Sequence, residues 1–441
     1  MKNKNREISV IGAGLAGCEA AWQAAERGVK VTLYEMKPEK FSPAHTSGEF
    51  AELICSNSLK AARVDSAAGL LKEEMRMFNS LLVSVAEKTR VPAGGALAVD
   101  RDEFSRLVTE TINSHPLIEV KHGEVDEIPA GIVIVATGPL TSDRLSEKIS
   151  EICGGGLSFF DAAAPIVTAE SIDMEKCFEA SRYDKGDSDY INCPMNKIEY
   201  ESFIDELIDA QRAPVHSFDV RNPKVYEGCM PIEILAQRGR DSARFGPMKP
   251  VGLTDPKTGH RPWAAVQLRT ENKDKTLYNL VGFQTNLKFP EQKRVFGMIP
   301  GLENAEFVRY GVMHRNTFIN SPKLLNADFS MRENKNIFFA GQITGVEGYM
   351  ESASSGILAA VNAVNLTEDT APLILPVQSM MGALANYISN YEGKDFQPMG
   401  ANFGVLPPLS EKIRDKRARY MALAQRSIEL MRDLLSLNYM V

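Results

Sequence analysis

The first 35 residues alternate between short apolar runs and one segment with helical spacing. EISVIGAG (7–14) is a β-branched run that ends in glycines, LAGCEAAWQAAERG (15–28) carries apolar residues at helical spacing, and VKVTLYE (29–35) is a second apolar run. Near-continuous apolar strands are typical of a parallel sheet that helices cover on both faces. The pattern therefore predicts a βαβ unit and an α/β fold.

Later segments repeat this alternation. SAAGLLKEEMRMFNSLLVSVAEK (66–88) has the spacing of one long helix, and GIVIVATGP (131–139) that of a buried strand that runs into a turn. ENKNIFFAGQITGVEGYMESASSGILAAVNAV (333–364) reads as a strand, a glycine turn and a long helix.

A middle segment has a different character and predicts an inserted domain. It contains short alternating runs such as YINCPM and WAAVQL, and few helical patterns. We predict a Rossmann-like domain in two parts, 1–160 and 326–441, the second with a helical tail. An inserted mixed α/β domain, 161–325, lies between them in the chain.

The first glycine turn predicts a dinucleotide site. Its residues fit the pattern G-x-G-x-x-G between a predicted strand and a predicted helix: Gly12, Ala13, Gly14, Leu15, Ala16 and Gly17. The glycines allow a tight turn and close approach of a pyrophosphate to the helix N-terminus. Glu35 ends the second strand, where an acid accepts hydrogen bonds from a ribose.

Two further glycine turns favour FAD over NAD. Thr137 and Gly138 end one predicted strand, and Gly341 ends another, before Gly345 and Gly348. Both turns resemble elements of FAD domains of the glutathione-reductase type, although Gln342 stands where many of those proteins have an acid. No second G-x-G-x-x-G follows a strand, so NADH or NADPH is expected only as a visiting reductant.

Cys55 and Cys229 stand in polar, turn-like contexts, ELICSNSLK and KVYEGCMPIE. A reactive thiol needs access and an activating neighbour, whereas an inert thiol is usually buried. We predict that Cys18 is packed in the core. The remaining cysteines, for which we predict structural roles, are Cys153, Cys177 and Cys193.

Composition limits the classes of function. The chain has 441 residues, of which 44% are hydrophobic and 24% charged, and a net charge of −7. No run of about 18 apolar residues predicts a membrane span, no signal peptide is evident, and no His/Cys spacing predicts a metal. We expect a cytoplasmic protein. An acidic chain is not a typical nucleic-acid binder, and a local basic run such as Arg238, Arg240 and Arg244 is more often a solvated face, but RNA contact at this run stays open.

Four segments together resemble the folate- and FAD-dependent tRNA (uracil-5-)-methyltransferases. They are IGAGLAGCEAAWQ, SGEFAELICSNSLK, VYEGCMPIE and FFAGQITGVEGYMESASSGILAA. The resemblance covers essentially the whole chain. The large subunits of the tRNA wobble-uridine carboxymethylaminomethyl enzyme share the FAD domain, but those chains are considerably longer.

The resemblance implies methylation of the T-loop uridine (uridine-54) in the T-arm of tRNA, at C5. The one-carbon donor is 5,10-methylenetetrahydrofolate, and FAD reduced by NADH or NADPH is expected to supply electrons and to carry the methylene group on its N5. Cys229 is then expected to add to the uracil ring and Cys55 to remove the C5 proton, with the opposite assignment left open. His314 and Tyr349 are expected to face the flavin and the folate pterin.

Other functions remain open at this point. A plain NAD(P)H-dependent flavin oxidoreductase explains the glycine turns but neither cysteine segment. An FAD-stabilised RNA-binding or partner-binding protein without activity is a second alternative, and a ribosomal-RNA uridine is a second possible substrate.

Overall fold

The structure is a computed structural model. It describes residues 6–42, 44–154, 156–162, 164–184, 189–213, 230–272, 274–311, 313–393 and 396–438.

The described strands alternate with helices in the first part of the chain and pair mostly with one another in the second. In chain order the strands are β1 Glu7–Ile11, β2 Lys30–Glu35, β3 Ser58–Ala61, β4 Arg90–Val91, β5 Ala96–Val99, β6 Ile118–His122, β7 Ile132–Val135, β8 Gly156–Ala162, β9 Ile166–Thr168, β10 Phe178–Glu179, β11 Tyr190–Met195, β12 Ala264–Thr270, β13 Leu277–Leu280, β14 Phe307–Arg309, β15 Met313–Ile319 and β16 Ile337–Phe339.

Helices cover both the first sheet and the second. In chain order they are α1 Leu15–Ala25, α2 Ala67–Met77, α3 Leu81–Lys88, α4 Arg101–Ser114, α5 Asp143–Cys153, α6 Lys197–Asp209, α7 Ile232–Arg238, α8 Ser242–Phe245, α9 Phe289–Phe296, α10 Ser321–Leu324, α11 Tyr349–Thr367, α12 Met380–Asn390 and α13 Lys416–Asn438. Within the described ranges, none of these helices combines the length and the apolar character that crossing a bilayer requires.

A parallel sheet carries the N-terminal unit. Its strand order is β16-β7-β1-β2-β6, and β1 pairs in parallel with both β2 and β7. The edge strand β16 pairs with β7 although the predicted insertion lies between them in the chain. Strands whose core residues are almost wholly buried, as in Val133, Ile134 and Val135, confirm the predicted α/β class.

A second, antiparallel sheet is built from the middle of the chain. Its order is β10-β11-β12-β13-β9-β14, and it packs around its own apolar cluster, with Phe203, Phe283 and Phe296 at the centre. The antiparallel ribbon of β8 with β15 runs between the two parts, so that Gly156 is opposite Ile319. The predicted domain boundaries at 160/161 and 325/326 stay predictions.

The single helix predicted over 66–88 is wrong. The structure has α2 and α3 instead, separated at Asn79, whose φ of 54° is left-handed. Asparagine tolerates that conformation and often ends a helix. Ser80 then begins α3, because its hydroxyl accepts a hydrogen bond from the Val83 amide at 3.2 Å.

Candidate active site

The three glycines of the first turn have different surroundings. Gly12 has φ of 97°, and a Cβ on Gly17 would lie 1.7 Å from the Gly12 carbonyl oxygen, so the turn tolerates no side chain there. A Cβ on Gly14 would meet nothing within 4 Å, because Gly14 faces an open cavity. Gly12 and Gly17 therefore form the turn, and Gly14 leaves space beside it.

Glu35 lies beside this turn at the end of β2. Its carboxylate accepts hydrogen bonds from the backbone amides of Ala13 at 2.7 Å and Lys37 at 2.9 Å. The residue is 6% exposed and lines the cavity. A carboxylate offers about four acceptor positions, so these two bonds orient Glu35 and leave capacity for a ribose hydroxyl.

The other two predicted glycine turns reach the same cavity. Thr137 and Gly138 line it after β7, and Gly341 and Gln342 line it after β16. The Gly341 amide donates to the Ser355 hydroxyl at 2.7 Å. Gln342, which stands where an acid is common, donates from Nε2 to Glu347 at 2.7 Å.

Helices α1 and α11 bring their N-termini to this cavity. They pack so closely that a Cβ on Gly356 would lie 2.3 Å from the Ala16 carbonyl oxygen. The N-cap residues are Gly14 and Gly348, and neither helix has a side-chain cap. An uncapped helix N-terminus offers unpaired N–H groups and a partial positive charge.

The cavity and its solvent-open mouth together contain about 1190 Å³ of empty space. Its wall includes all but two of the residues predicted to bind the cofactor. Gly17 lies behind the wall, against the Gly12 carbonyl, and Gly348 begins α11. The residues of the wall include Gly12, Ala13, Gly14, Leu15, Ala16, Glu35, Cys55, Thr137, Gly138, Gly341, Gln342, Tyr349 and Ser352.

These features fit FAD. The space at Gly14 and the N-terminus of α1 suit a pyrophosphate, and the Glu35 carboxylate suits a ribose. The uncapped α11 N-terminus would stabilise negative charge on a flavin bound in this cavity. Within the described residues, no cluster of His, Cys, Asp or Glu has the arrangement of a metal site.

Cys55 lies in the wall of the same cavity and is half-buried. The Tyr349 hydroxyl accepts hydrogen bonds from the Cys55 amide at 2.8 Å and the Ser56 amide at 3.2 Å. Tyr349 is half-buried, and desolvation of its hydroxyl raises the pKa of that group above the ordinary value, with the nearby Cys55 adding to the effect. Tyr349 therefore stays neutral and holds the Cys55 backbone at the cavity.

Two arginines, which the sequence patterns did not indicate, hold the same turn. Arg101 donates from Nη1 to the carbonyl oxygens of Leu53 at 2.7 Å and Ile54 at 3.2 Å. Arg269, on β12, donates to the Asn57 side chain at 3.0 Å and to the Ser56 hydroxyl at 2.7 Å. The Cys55 turn is thus fixed by a residue of helix α4 and by a residue of strand β12 in the second sheet.

The other predicted site residues lie elsewhere. Cys229 lies outside the described residues, and His314 lies on β15, where the structure describes only the backbone. Arg238, Arg240 and Arg244 belong to the region of α7 and α8 and do not line the cavity.

The remaining cysteines are buried, as predicted. They are Cys18, Cys153, Cys177 and Cys193. Burial raises the pKa of Cys18 and raises that of Cys153 to about 11. Cys18 and Cys153 therefore stay protonated at neutral pH and are inert.

Comparison with known proteins agrees with the site. The family model described as Glucose inhibited division protein A matches residues 7–371. The methylenetetrahydrofolate–tRNA-(uracil-5-)-methyltransferase TrmFO of Acetivibrio thermocellus is 59% identical over 431 residues, which cover 97% of this chain and 98% of that protein. The protein of the same name from Enterococcus faecalis is 57% identical over 426 residues, or 96% of this chain and 98% of that one.

A solved structure has the same fold. GidA of Aquifex aeolicus, in its form II crystal, superposes with a TM-score of 0.71 at 16% identity. The alignment covers 98% of this chain and 74% of that chain. With the family model and the relatives in agreement, the chain belongs to the Glucose inhibited division protein A family and, within it, to the methylenetetrahydrofolate–tRNA-(uracil-5-)-methyltransferases.

Proposed function

We propose that this protein methylates C5 of the T-loop uridine of tRNA, with 5,10-methylenetetrahydrofolate as the one-carbon donor. The names of the relatives favour this reaction over a plain flavin oxidoreductase and over a ribosomal-RNA substrate. The observation that carries the proposal is that the Cys55 turn and the three glycine turns form the wall of one cavity. A thiol and a dinucleotide site are thereby within reach of one substrate.

Bound FAD, reduced by NADH or NADPH, supplies the two electrons that turn a methylene group into a methyl group. The chain's own contribution begins with orientation. The backbone of Gly14 and the N-terminus of α1 hold the pyrophosphate, and Glu35 holds the ribose. The α11 N-terminus places positive potential at the part of the cavity wall that Tyr349 and Ser352 line.

Two thiols activate the uracil. Addition of the Cys229 thiolate to C6 pushes an electron pair onto C5, which then forms the bond to the one-carbon unit. The Cys55 thiolate takes the C5 proton, and the electron pair left behind breaks the bond between the methylene carbon and the nitrogen that carried it. Addition of a hydride equivalent (two electrons and a proton) to that methylene group gives the methyl group, and the electron pair pushed back through C5 expels the Cys229 thiolate from C6. His314 and Tyr349 are the residues that we propose for contact with the flavin and the folate pterin. The Tyr349 ring is in the cavity wall, which supports its part in this contact.

A surface on the inserted segment is our proposal for tRNA contact. It comprises Arg238, Arg240, Arg244, Phe245 and Trp263. The Arg244 guanidinium lies 4.2 Å from the Trp263 ring centre and 5.1 Å from that of Phe245, and Phe245 is 74% exposed. Exposed aromatic rings beside arginines suit an unpaired base next to a phosphate backbone.

The test is covalent trapping on a T-arm RNA that carries 5-fluorouridine at the target position. Fluorine does not leave as a proton does, so the thiol adduct at C6 accumulates and appears as a shifted band on a denaturing gel. We expect an adduct with the wild type and Cys55→Ala, and none with Cys229→Ala.

Two other results of the trapping experiment would change the proposal. Loss of the adduct only in Cys55→Ala keeps the reaction and exchanges the two thiols. No adduct in any sample, with FAD bound and RNA associated, contradicts the proposed function.

A further inference from the structure

Arg101 has an unusual place for a cation. It is the first residue of α4, behind the N-cap Asp100, where the helix dipole disfavours positive charge. Its side chain is only 12% exposed. A buried cation at a helix N-terminus destabilises the fold unless other groups compensate it, so its presence calls for a role beyond the helix.

Glu271 supplies that compensation from the second sheet. It follows β12 and is 3% exposed, and its Oε2 accepts from Arg101 Nε at 3.0 Å and lies 2.7 Å from Nη2. The guanidinium therefore bridges two parts of the protein. One edge holds Glu271, and Nη1 holds the two carbonyls that precede Cys55.

Two guanidinium groups, those of Arg101 and Arg309, lie near the Cys55 thiol. Burial lowers the pKa of Arg101, but Glu271 outweighs it and, with Tyr349 and Cys55, holds the pKa of Arg101 above its ordinary value. Burial lowers the pKa of Arg309 and the neighbouring Arg101 lowers it further, whereas Tyr349 and Cys55 act in the opposite direction. Both guanidiniums thus lie close enough to Cys55 to interact with a charge on it.

We propose that Arg101 is a positioning residue for Cys55. Through Glu271 it ties the Cys55 turn to the inserted segment, and its guanidinium favours the thiolate form of Cys55. Tyr349 holds the amides of Cys55 and Ser56, so the turn is clamped from two directions. The catalytic meaning of this clamp rests on the proposed proton transfer to Cys55, but the clamp itself does not.

The Arg101 guanidinium affects the chemistry of Cys55 through the protonation state of its thiol. An ordinary thiol is only a few per cent thiolate at neutral pH, and a general base must be deprotonated before it accepts a proton. A neighbouring positive charge stabilises the thiolate and so lowers the thiol pKa, which increases the fraction of Cys55 that is able to accept a proton.

The test measures the pH dependence of Cys55 alkylation by iodoacetamide in the FAD-loaded protein, with the modified peptide quantified by mass spectrometry. The variants are Arg101→Gln, Arg101→Lys and Glu271→Gln. Arg106→Gln is the matched control, because Arg106 lies on the same helix with an exposed ion pair to Glu110.

We expect Arg101→Gln to raise the apparent pKa of Cys55 by about one pH unit, which lowers its alkylation at pH 7 about tenfold. Arg101→Lys retains the charge and gives a smaller rise. Glu271→Gln leaves the guanidinium less compensated, so the apparent pKa falls, and Arg106→Gln changes nothing.

A merely structural role predicts a different result. Loosening of the turn would move Arg101→Gln and Glu271→Gln in the same direction, and that outcome, or an unchanged profile in Arg101→Gln, overturns the proposal. If Arg101→Gln does not fold, the opposite signs expected for Arg101→Lys and Glu271→Gln decide. Alkylation needs neither tRNA nor folate, so failure of the methylation proposal leaves this measurement unaffected.

Discussion

At the scale of single residues, one glycine of the first turn is required for the fold and another for the ligand. Gly17 packs its α-carbon against the Gly12 carbonyl, whereas Gly14 has extended backbone (φ of −73°) and open space beside it. The same residue type thus serves two purposes within six positions, and substitution by alanine distinguishes them.

We predict that Gly14→Ala folds normally but binds FAD at least about tenfold more weakly, a loss of about 1.4 kcal/mol, because the new methyl group fills ligand space. Gly17→Ala forces the turn apart and lowers the free energy of unfolding by about 2 kcal/mol or more. Thermal melting and flavin absorbance of the purified proteins measure both effects. Equal melting of the two variants would contradict this distinction.

A second residue-scale prediction concerns Tyr349. Tyr349→Phe removes the acceptor for the Cys55 and Ser56 amides, which costs about 1–3 kcal/mol if both stay buried. We expect a slower methylation rate with retained flavin. Tyr387→Phe, which loses a single hydrogen bond to the Gln397 carbonyl, is the matched control. Equal methylation rates for the wild type and Tyr349→Phe would exclude a role for this hydroxyl.

The sequence predicted this site only in part. The glycine turns and Cys55 could be predicted because each sequence signal is confined to a few neighbouring positions. Arg101 and Glu271 lie 170 positions apart and have ordinary sequence contexts, so only the folded chain brings them together. A cation at a predicted helix N-terminus was the one available signal, since that position usually favours an acid.

At the scale of elements, α2 anchors the C-terminal helices. Its Glu74 is fully buried and accepts from the amides of Met380 and Met381, both at 2.7 Å, and from the Ser427 hydroxyl at 2.6 Å. The carboxylate thereby caps α12 and touches α13. Despite these donors, burial raises the pKa of Glu74 to about 7.

This pKa predicts a pH-dependent stability. Below about pH 4.5 the carboxyl is neutral in both states; between 4.5 and 7 the unfolded chain ionises first, so the stabilising contribution of Glu74 is lost as pH rises. We expect the difference in free energy of unfolding between the wild type and Glu74→Gln to fall by up to about 3 kcal/mol over that range and to be flat above pH 7. Urea unfolding at several pH values measures it.

The neighbouring variant Glu73→Gln is the control, because Glu73 is partly exposed on the same helix and pairs with Arg76. A difference that rises with pH in Glu74→Gln would mean that the buried carboxyl is ionised throughout.

Element boundaries show where sequence patterns lose resolution. Apolar spacing continues through 66–88 without interruption, and it predicts one helix. The break depends on the Asn79–Ser80 pair, in which one residue accepts left-handed backbone and the next caps a new helix. Capping chemistry, not hydrophobic periodicity, decides such breaks.

At the scale of the whole molecule, a chain with net charge −7 must still attract an RNA. The proposed tRNA surface concentrates arginines, although Arg240 pairs with Asp205 and Arg244 with Asp241. A phosphate therefore competes with a carboxylate for each guanidinium, which makes binding sensitive to salt.

We predict that Arg240→Ala or Arg244→Ala weakens tRNA binding and reduces the slope of log affinity against log salt by about 1. Filter binding between 50 and 200 mM salt measures this slope. Over that range, the affinity of a protein with many phosphate contacts falls about 10³–10⁵-fold. Arg106→Ala is the control for loss of a surface arginine elsewhere. An unchanged slope in both variants would remove this surface from the binding site.

The ribbon of β8 and β15 has a consequence for how such proteins diversify. Because Gly156 is paired with Ile319, the two ends of segment 156–319 lie side by side. The chain between them is covalently joined to the rest of the protein only through this double strand. Segments whose ends meet are exchanged with little disturbance to their host. A chimera that carries the corresponding segment of a distant relative on this flavin scaffold would transfer RNA preference, and it would keep the Cys55 turn fixed only where that segment supplies counterparts of Arg269 and Glu271.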